Sequence, residues 1–175
     1  MAGNIANASP AGDTLPVLYA RDAKCIIESV DGNREVAIAN LITSPGRTSL
    51  KNDELIKEIV IPATSFNFYR YKKVGTRKAL ALSKLSFVGL ANVKNDIITD
   101  IRIAFGAVAP TVVRRLELEA GIISKNIADL SVISDKIVEG YSNFIRPIND
   151  QRSSMEYRKE VSLRLFEDFL RSLQK

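Results

Sequence analysis

The sequence predicts an α+β protein. A partial α+β domain spans residues 1–62, and a three-stranded antiparallel sheet packed on about three helices spans residues 63–175. Three observations carry this. The chain has 175 residues, 46% of them hydrophobic and 26% charged, which is enough for a real core and excludes disordered and low-complexity classes. Strand-like segments joined by turn residues fill residues 23–109. Helical periodicity takes over after Pro110.

Residues 3–13, GNIANASPAGD, are small, polar and turn-forming, and read as a loop from the inside of a larger domain. The apolar run 14–20 suits a helical turn. Residues 23–30 read as a strand, Asp31-Gly32-Asn33 as a hairpin turn and residues 35–39 as the return strand. Ser44-Pro45-Gly46 is a loop. Asn52 is placed to cap a short helix through Asp53, Glu54, Leu55 and Ile56. Residues 58–61 form a β-branched strand that Pro62 stops. Residues 65–73 alternate, with Phe66, Phe68 and Tyr71 among polar neighbours. Residues 85–93 are a further strand, and Asn95-Asp96 a turn. The clearest strand is 99–109, with Ile101, Ile103, Phe105, Ala107 and Ala109 on one face and Asp100 and Arg102 starting the other.

Pro110-Thr111 opens a helix that runs to Ala120 and ends at Gly121. A second helix covers 127–139 through Ile127, Leu130, Ile133 and Ile137, with Gly140 as its stop. The last begins at Ser153 or Ser154 and carries Val161, Leu165, Phe166, Phe169, Leu170 and Leu173 on one stripe. On this reading residues 65–173 fold on their own core, and residues 3–13 stay open to solvent.

Composition narrows the function. The chain has no His, which excludes Ser-His-Asp triads, Cys-His dyads and His-ligated metal within it. Cys25 is the single cysteine, so no internal disulfide and no Cys-held zinc or iron–sulfur cluster can form, and a lone thiol suits the cytoplasm. No apolar run reaches the ~20 residues of a membrane span, and the first residues lack the features of a signal peptide. Lys+Arg 25 against Asp+Glu 20 leave +5. An anionic cofactor or an acidic partner suits that charge, and no Lys/Arg cluster points to nucleic acid.

Three segments invite a functional reading beside a plain one. In residues 3–13, small residues let backbone N–H groups approach a pyrophosphate, and Asp13 can accept from a ribose hydroxyl. The same composition suits an ordinary flexible terminus. Lys72 and Lys73 with Arg70 and Arg77 can face phosphates or simply water. Arg152-Ser153-Ser154 with Glu156 is cap chemistry, and Arg158 is available to a carboxylate elsewhere. Glu117 and Glu119 lie two apart in a helix and do not face each other, so they are no acid–base pair.

Five motifs occur in order: GNIANASPAGDTLPVL, DELIKEIVIP, YKKVGTRKALALSKLSF, DIRIAFGAVAPT and DQRSSMEYRKEV. Together they resemble the flavin-binding (medium) subunit of molybdenum hydroxylases, the group of xanthine, carbon monoxide and nicotinate dehydrogenases. The resemblance spans nearly the whole chain. It implies the C-terminal part of an FAD-binding domain over 1–62 and a CO dehydrogenase flavoprotein C-terminal-like domain over 63–175. It also implies that the family's first Gly-rich phosphate loop lies upstream of this chain, and Ala2 stands where the second loop usually has a further Gly. Carried over by motif, Gly3, Asn4, Ile5, Ser9 and Asp13 lie against the FAD pyrophosphate and ribose. Ile56 is an apolar FAD contact, and Lys72 is a basic residue near the flavin. No catalytic or metal-ligating residue carries over, and Cys25 alone cannot support the extra iron–sulfur cluster of some relatives.

The activity so implied belongs to a cytoplasmic oxidoreductase complex. A large subunit holds molybdopterin, a small subunit holds 2Fe-2S clusters, and electrons pass through FAD to NAD or another acceptor. By the same resemblance the chain is not active in isolation. The alternative is a non-catalytic subunit-interaction module, or a remnant, that binds no FAD. The colour of the purified chain, yellow or none, separates the two.

Overall fold

The computed structural model describes residues 1–77 and 81–174. Positions 78–80 of the third motif, and residue 175 at the end of the expected second domain, lie outside them. The chain runs α1 (Ala2–Ala6), α2 (Leu15–Ala20), β1 (Lys24–Ser29), β2 (Gly32–Ala37), α3 (Ile38–Leu41), β3 (Ile42–Ser44), β4 (Arg47–Thr48) and β5 (Leu55–Val60). It continues with β6 (Phe68–Gly75), β7 (Ser83–Lys94), β8 (Ile97–Gly106), α4 (Leu116–Ala120), α5 (Leu130–Ser142) and α6 (Met155–Ser172). Among the described residues three antiparallel sheets result, in the orders β2-β1-β5, β3-β4 and β6-β7-β8.

The β6-β7-β8 sheet is the centre of the molecule. Side chains alternate across a strand, so each strand feeds two layers. Leu85, Phe87 and Ala91 of β7 and Ile101, Ile103 and Phe105 of β8 pack with Tyr141 of α5 and Phe166, Phe169 and Leu170 of α6. On the other face, Val88 and Ala104 pack with Ile5, Leu15, Leu18 and Ile38 of the N-terminal segment. Both faces are therefore covered, and residues 85–89 are buried without a break. A hairpin tight enough for this needs left-handed residues, and Asn95 and Asp96 adopt φ of 50° and 61° between β7 and β8.

Charged pairs also join the N-terminal segment to this sheet. Asp22, at φ 51°, accepts from Arg102 on β8 at 2.7 Å and from Arg114 at 2.5 Å. Arg114 also meets Glu119 of α4, which is 3% exposed and accepts from the Ile103 N–H at 2.8 Å. Phe66 lies beneath two guanidiniums, 5.4 Å from that of Arg21 and 5.0 Å from that of Arg102.

Several elements differ from the sequence expectation. Residues 2–6 are helical, because buried Ile5 and Ala8 anchor them. Residues 3–13 are therefore not an open loop: Ile5, Ala8 and Gly12 are buried. No helix forms at 52–56. Glu54 instead accepts from the Lys51 N–H and from Arg34, closing a turn, and Leu55 starts a strand along β1. The return strand ends at Ala37, and α3 follows. β8 stops at Gly106, because Ala107 turns at φ 61°; Ala107 and Ala109 do not extend its apolar face. The helix expected from Pro110 begins only at Leu116, since Val113 is held extended by paired backbone bonds to Phe105. Gly140 does not end α5. It sits inside the helix at a close approach, where a Cβ would lie 2.9 Å from Leu118 Cδ2. The last helix starts as expected, with the Ser154 hydroxyl accepting from the Tyr157 N–H.

Candidate functional site

The residues between α1 and α2 form a compact corner. The Ser9 hydroxyl accepts from the Ala11 N–H at 3.3 Å, and the Ser9 carbonyl accepts from the Gly12 N–H at 2.9 Å. The Thr14 hydroxyl donates to Asn4 Oδ1 at 2.6 Å, tying the end of the turn back to α1. Position 12 is tight, since a Cβ there would lie 2.9 Å from Asn4 Oδ1 and 3.1 Å from the Ser9 carbonyl. The corner is held from outside as well. Gly46 N–H donates to the Ala8 carbonyl at 3.0 Å, and Ala107 N–H to the Pro10 carbonyl at 2.9 Å.

Asp13 is where this corner meets the central sheet. Its carboxylate accepts from Lys73 Nζ of β6 at 2.5 Å and from the Ser83 hydroxyl of β7 at 2.6 Å. The Tyr71 hydroxyl donates to the Asp13 carbonyl oxygen at 3.5 Å. The carboxylate is 42% exposed, so it keeps lone pairs for a ligand.

The structure brings Asn4, Ser9 and Gly12 together, with Asp13 next in the chain and Gly3 and Ile5 beside Asn4 on α1. Gly3 is exposed, with nothing within 4 Å of the place its Cβ would take. The Ile5 side chain is fully buried, and its N–H donates to the Met1 carbonyl while its carbonyl accepts from the Ala8 N–H. Ile56 lies on β5 opposite Ile27, half-buried on the core that holds Ile5. Lys72 is not brought to Asp13. It pairs with Phe87 and shares the β6 face of Phe68 and Val74, which pack on the helix side. Lys73 is on the opposite face with Tyr69 and Tyr71. The signal was present in the sequence: in Phe68-Tyr69-Arg70-Tyr71-Lys72-Lys73-Val74, the apolar ends share the parity of Lys72, so the other lysine faces the loop.

Sequence reasoning also missed a groove behind this corner. It has a volume of about 340 Å³, and Ser9, Pro10, Ala107, Arg146, Arg152 and Arg158 line it. Arg158 is 4% exposed and donates to Asp150 at 2.5 Å. That guanidinium, helped by the Arg152 N–H, holds the Asp150 carboxyl down to about 2. Among the described residues no group of His, Cys, Asp and Glu side chains is placed to hold a metal ion, and no helix is long and apolar enough to cross a membrane.

A family described as the FAD binding domain in molybdopterin dehydrogenase matches residues 1–64, and one described as the CO dehydrogenase flavoprotein C-terminal domain matches residues 69–173. The chain belongs to the flavoprotein (medium) subunit family of the molybdenum hydroxylases. This flavoprotein-family chain is 34% identical over 159 residues to the glyceraldehyde dehydrogenase medium chain of Sulfolobus acidocaldarius, covering 91% of itself and 56% of that relative. It is 30% identical over 164 residues to a putative xanthine dehydrogenase FAD-binding subunit of Escherichia coli, covering 89% of itself and 53% of that relative. It thus spans about half the length of the curated relatives it matches. Its fold matches that of a reconstituted CO dehydrogenase from Oligotropha carboxidovorans with a TM-score of 0.84 at 21% identity, over 95% of this chain and 57% of that one. The CO dehydrogenase of Hydrogenophaga pseudoflava gives 0.85 at 23% identity, over 95% and 57%.

Proposed function

We propose that this chain forms one wall of an FAD site in the flavin subunit of a molybdenum hydroxylase. The carrying observation is Asp13, where the turn after α1 meets an ammonium group from the sheet, with exposed Gly3 and the polar side chains of Asn4 on α1 and Ser9 on the turn beside it. This donor set fits an anionic dinucleotide. Gly3 and the Asn4 side-chain amide would face the phosphates beside Ile5, and Ser9 and Asp13 the ribose and its neighbours. Ile56 would offer apolar contact. Lys73 takes the basic role beside the flavin, in place of Lys72 on the other face of β6. Its ammonium, held by Asp13, favours added negative charge on a group beside it.

Bound FAD would supply the redox chemistry, accepting electrons from 2Fe-2S clusters and passing them to NAD or another acceptor. The partners of this reading are a molybdopterin-bearing large subunit and an iron–sulfur small subunit, in the cytoplasm, where the unpaired buried Cys25 stays reduced. An acceptor carrying phosphates would meet arginine donors in the groove that shares Ser9 and Pro10 with the flavin loop. The rival reading, an interaction module that binds no FAD, draws on the fact that Asp13 already has two protein partners.

Hydrogen exchange with FAD titrated to millimolar concentration separates them. The first reading expects protection of residues 2–13 on FAD addition, lost in Asp13→Ala and Lys73→Met and kept in Lys72→Met. No protection at any FAD concentration supports the interaction module.

A further inference from the structure

We propose that Arg158 is a positioning residue for the loop at residues 9–13, acting through the peptide of Ala107. The starting point is an arginine in an unfavourable place. It is the fourth residue of α6, where the helix N-terminus repels a cation, and it is 4% exposed. Helix stability gives no reason for it there. Its bonds do. Nη2 donates to Asp150 Oδ1 at 2.5 Å, and Nη1 donates to the Ala107 carbonyl at 3.4 Å. Its Nε is buried without a partner, so the guanidinium is aimed at these two acceptors at the expense of a third bond.

Ala107 is the first residue past β8 and turns at φ 61°. That turn sends its N–H to the Pro10 carbonyl at 2.9 Å while its carbonyl faces Arg158. One residue therefore spans from α6 to the flavin-facing loop, with both of its backbone groups committed. The other anchor, Asp150, also accepts from the N–H groups of Arg152 and Ser153, which fixes the corner leading into α6. The next residue is braced in the same sense, as the Arg146 N–H donates to the Val108 carbonyl at 2.9 Å. Moving the guanidinium frees the exit of β8, and the loop loses the support that holds Pro10. Lysine cannot take its place, because one ammonium on a linear stem does not span two acceptors in a planar fork.

The consequence for flavin rests on the FAD reading above; the consequence for the loop does not. The test is hydrogen exchange of the full chain as Arg158→Lys and Arg158→Met. Lysine retains a charge for Asp150, so that variant keeps the test open if the methionine variant unfolds. Exchange is expected to rise about tenfold at Ala107, Ala11 and Gly12, with β1 and α5 unchanged and no rescue by lysine. Arg164→Met, an exposed position on the same helix, serves as the control. Unchanged loop exchange in Arg158→Lys, or a rise spread evenly over β1 and α5, overturns the proposal. In a second arm FAD is added, and Arg158→Lys is expected to weaken the FAD-induced protection of residues 2–13 and to alter the visible circular dichroism of bound flavin. If the unmutated chain shows neither signal, the FAD reading fails, and the first arm still decides the role of Arg158.

Discussion

Replacing Phe166 by alanine removes the ring on which the helix side of the sheet closes. Phe166 is fully buried. Its centroid lies 5.1 Å from Tyr141, 6.1 Å from Phe105 and 6.4 Å from Phe87, so one ring touches two strands and a second helix. A buried Phe→Ala change costs about 3–5 kcal/mol, from lost transfer energy plus the cavity left behind. The neighbours here cannot collapse into the space easily, since Phe87 and Phe105 are fixed by strand pairing, and the edge-to-face pairs with Phe105 and Tyr141 add about 0.5–1.5 kcal/mol. The expected loss is therefore at the upper end, about 4–5 kcal/mol. Urea unfolding followed by circular dichroism reads it as a lower midpoint at unchanged slope. Heat unfolding should fall by about 2–4 °C per kcal/mol for a chain of this size. A loss below about 1.5 kcal/mol would refute the idea that this ring cluster is the main closure of the helix layer.

Further outcomes follow from the same structure. Gly89→Ala should destabilise by about 1–3 kcal/mol, because its Cβ would lie 2.7 Å from the buried Phe169 ring; a neutral result in urea would mean the ring moves freely. Glu119→Gln, which leaves Arg114 with Asp22 as its remaining carboxylate partner, should cost about 1–3 kcal/mol by chemical denaturation, and a change within experimental error would count against the buried pair. The Asp150 carboxyl is lower in the fold than in the unfolded chain, so its contribution is present above the ordinary carboxylate range and is lost as pH falls toward about 2. Stability measured against pH should therefore fall less steeply between ~4 and ~2 in Asp150→Asn than in the unmutated chain. Identical slopes would remove Asp150 from the acid response.

Much of the local structure is written in short-range pattern. The Asn95-Asp96 hairpin, the Ser154 cap and the stripe Phe166, Phe169, Leu170 and Leu173 depend on residues within a few positions of one another, and they form where the pattern places them; the first hairpin also forms, but it turns at residues 30–31, and Gly32 and Asn33 already pair with β1. The first of the motifs that led to the flavin subunit is likewise local, and Asn4, Ser9 and Gly12 within it lie close together. Short segments are different, because too few local bonds form to settle their state and a distant partner decides. Leu55 and Ile56 became strand because β1 offered a free edge, and Val113 stayed extended because Phe105 offered paired bonds.

What the sequence by itself determined was the order of most elements, the apolar faces of β8 and α6, and the identity of the loop that carries the candidate site. Tertiary structure alone decided that the N-terminal segment covers the second face of the β6-β7-β8 sheet, and that Lys73 rather than Lys72 meets Asp13. It alone also set Arg158 behind the loop and buried Glu119 against Arg114. The reason is physical. Periodicity records which residues share a face, but which face meets which neighbour depends on contacts between residues as far apart as Asp13 and Ser83, and a strand turned by one residue exchanges every partner it has.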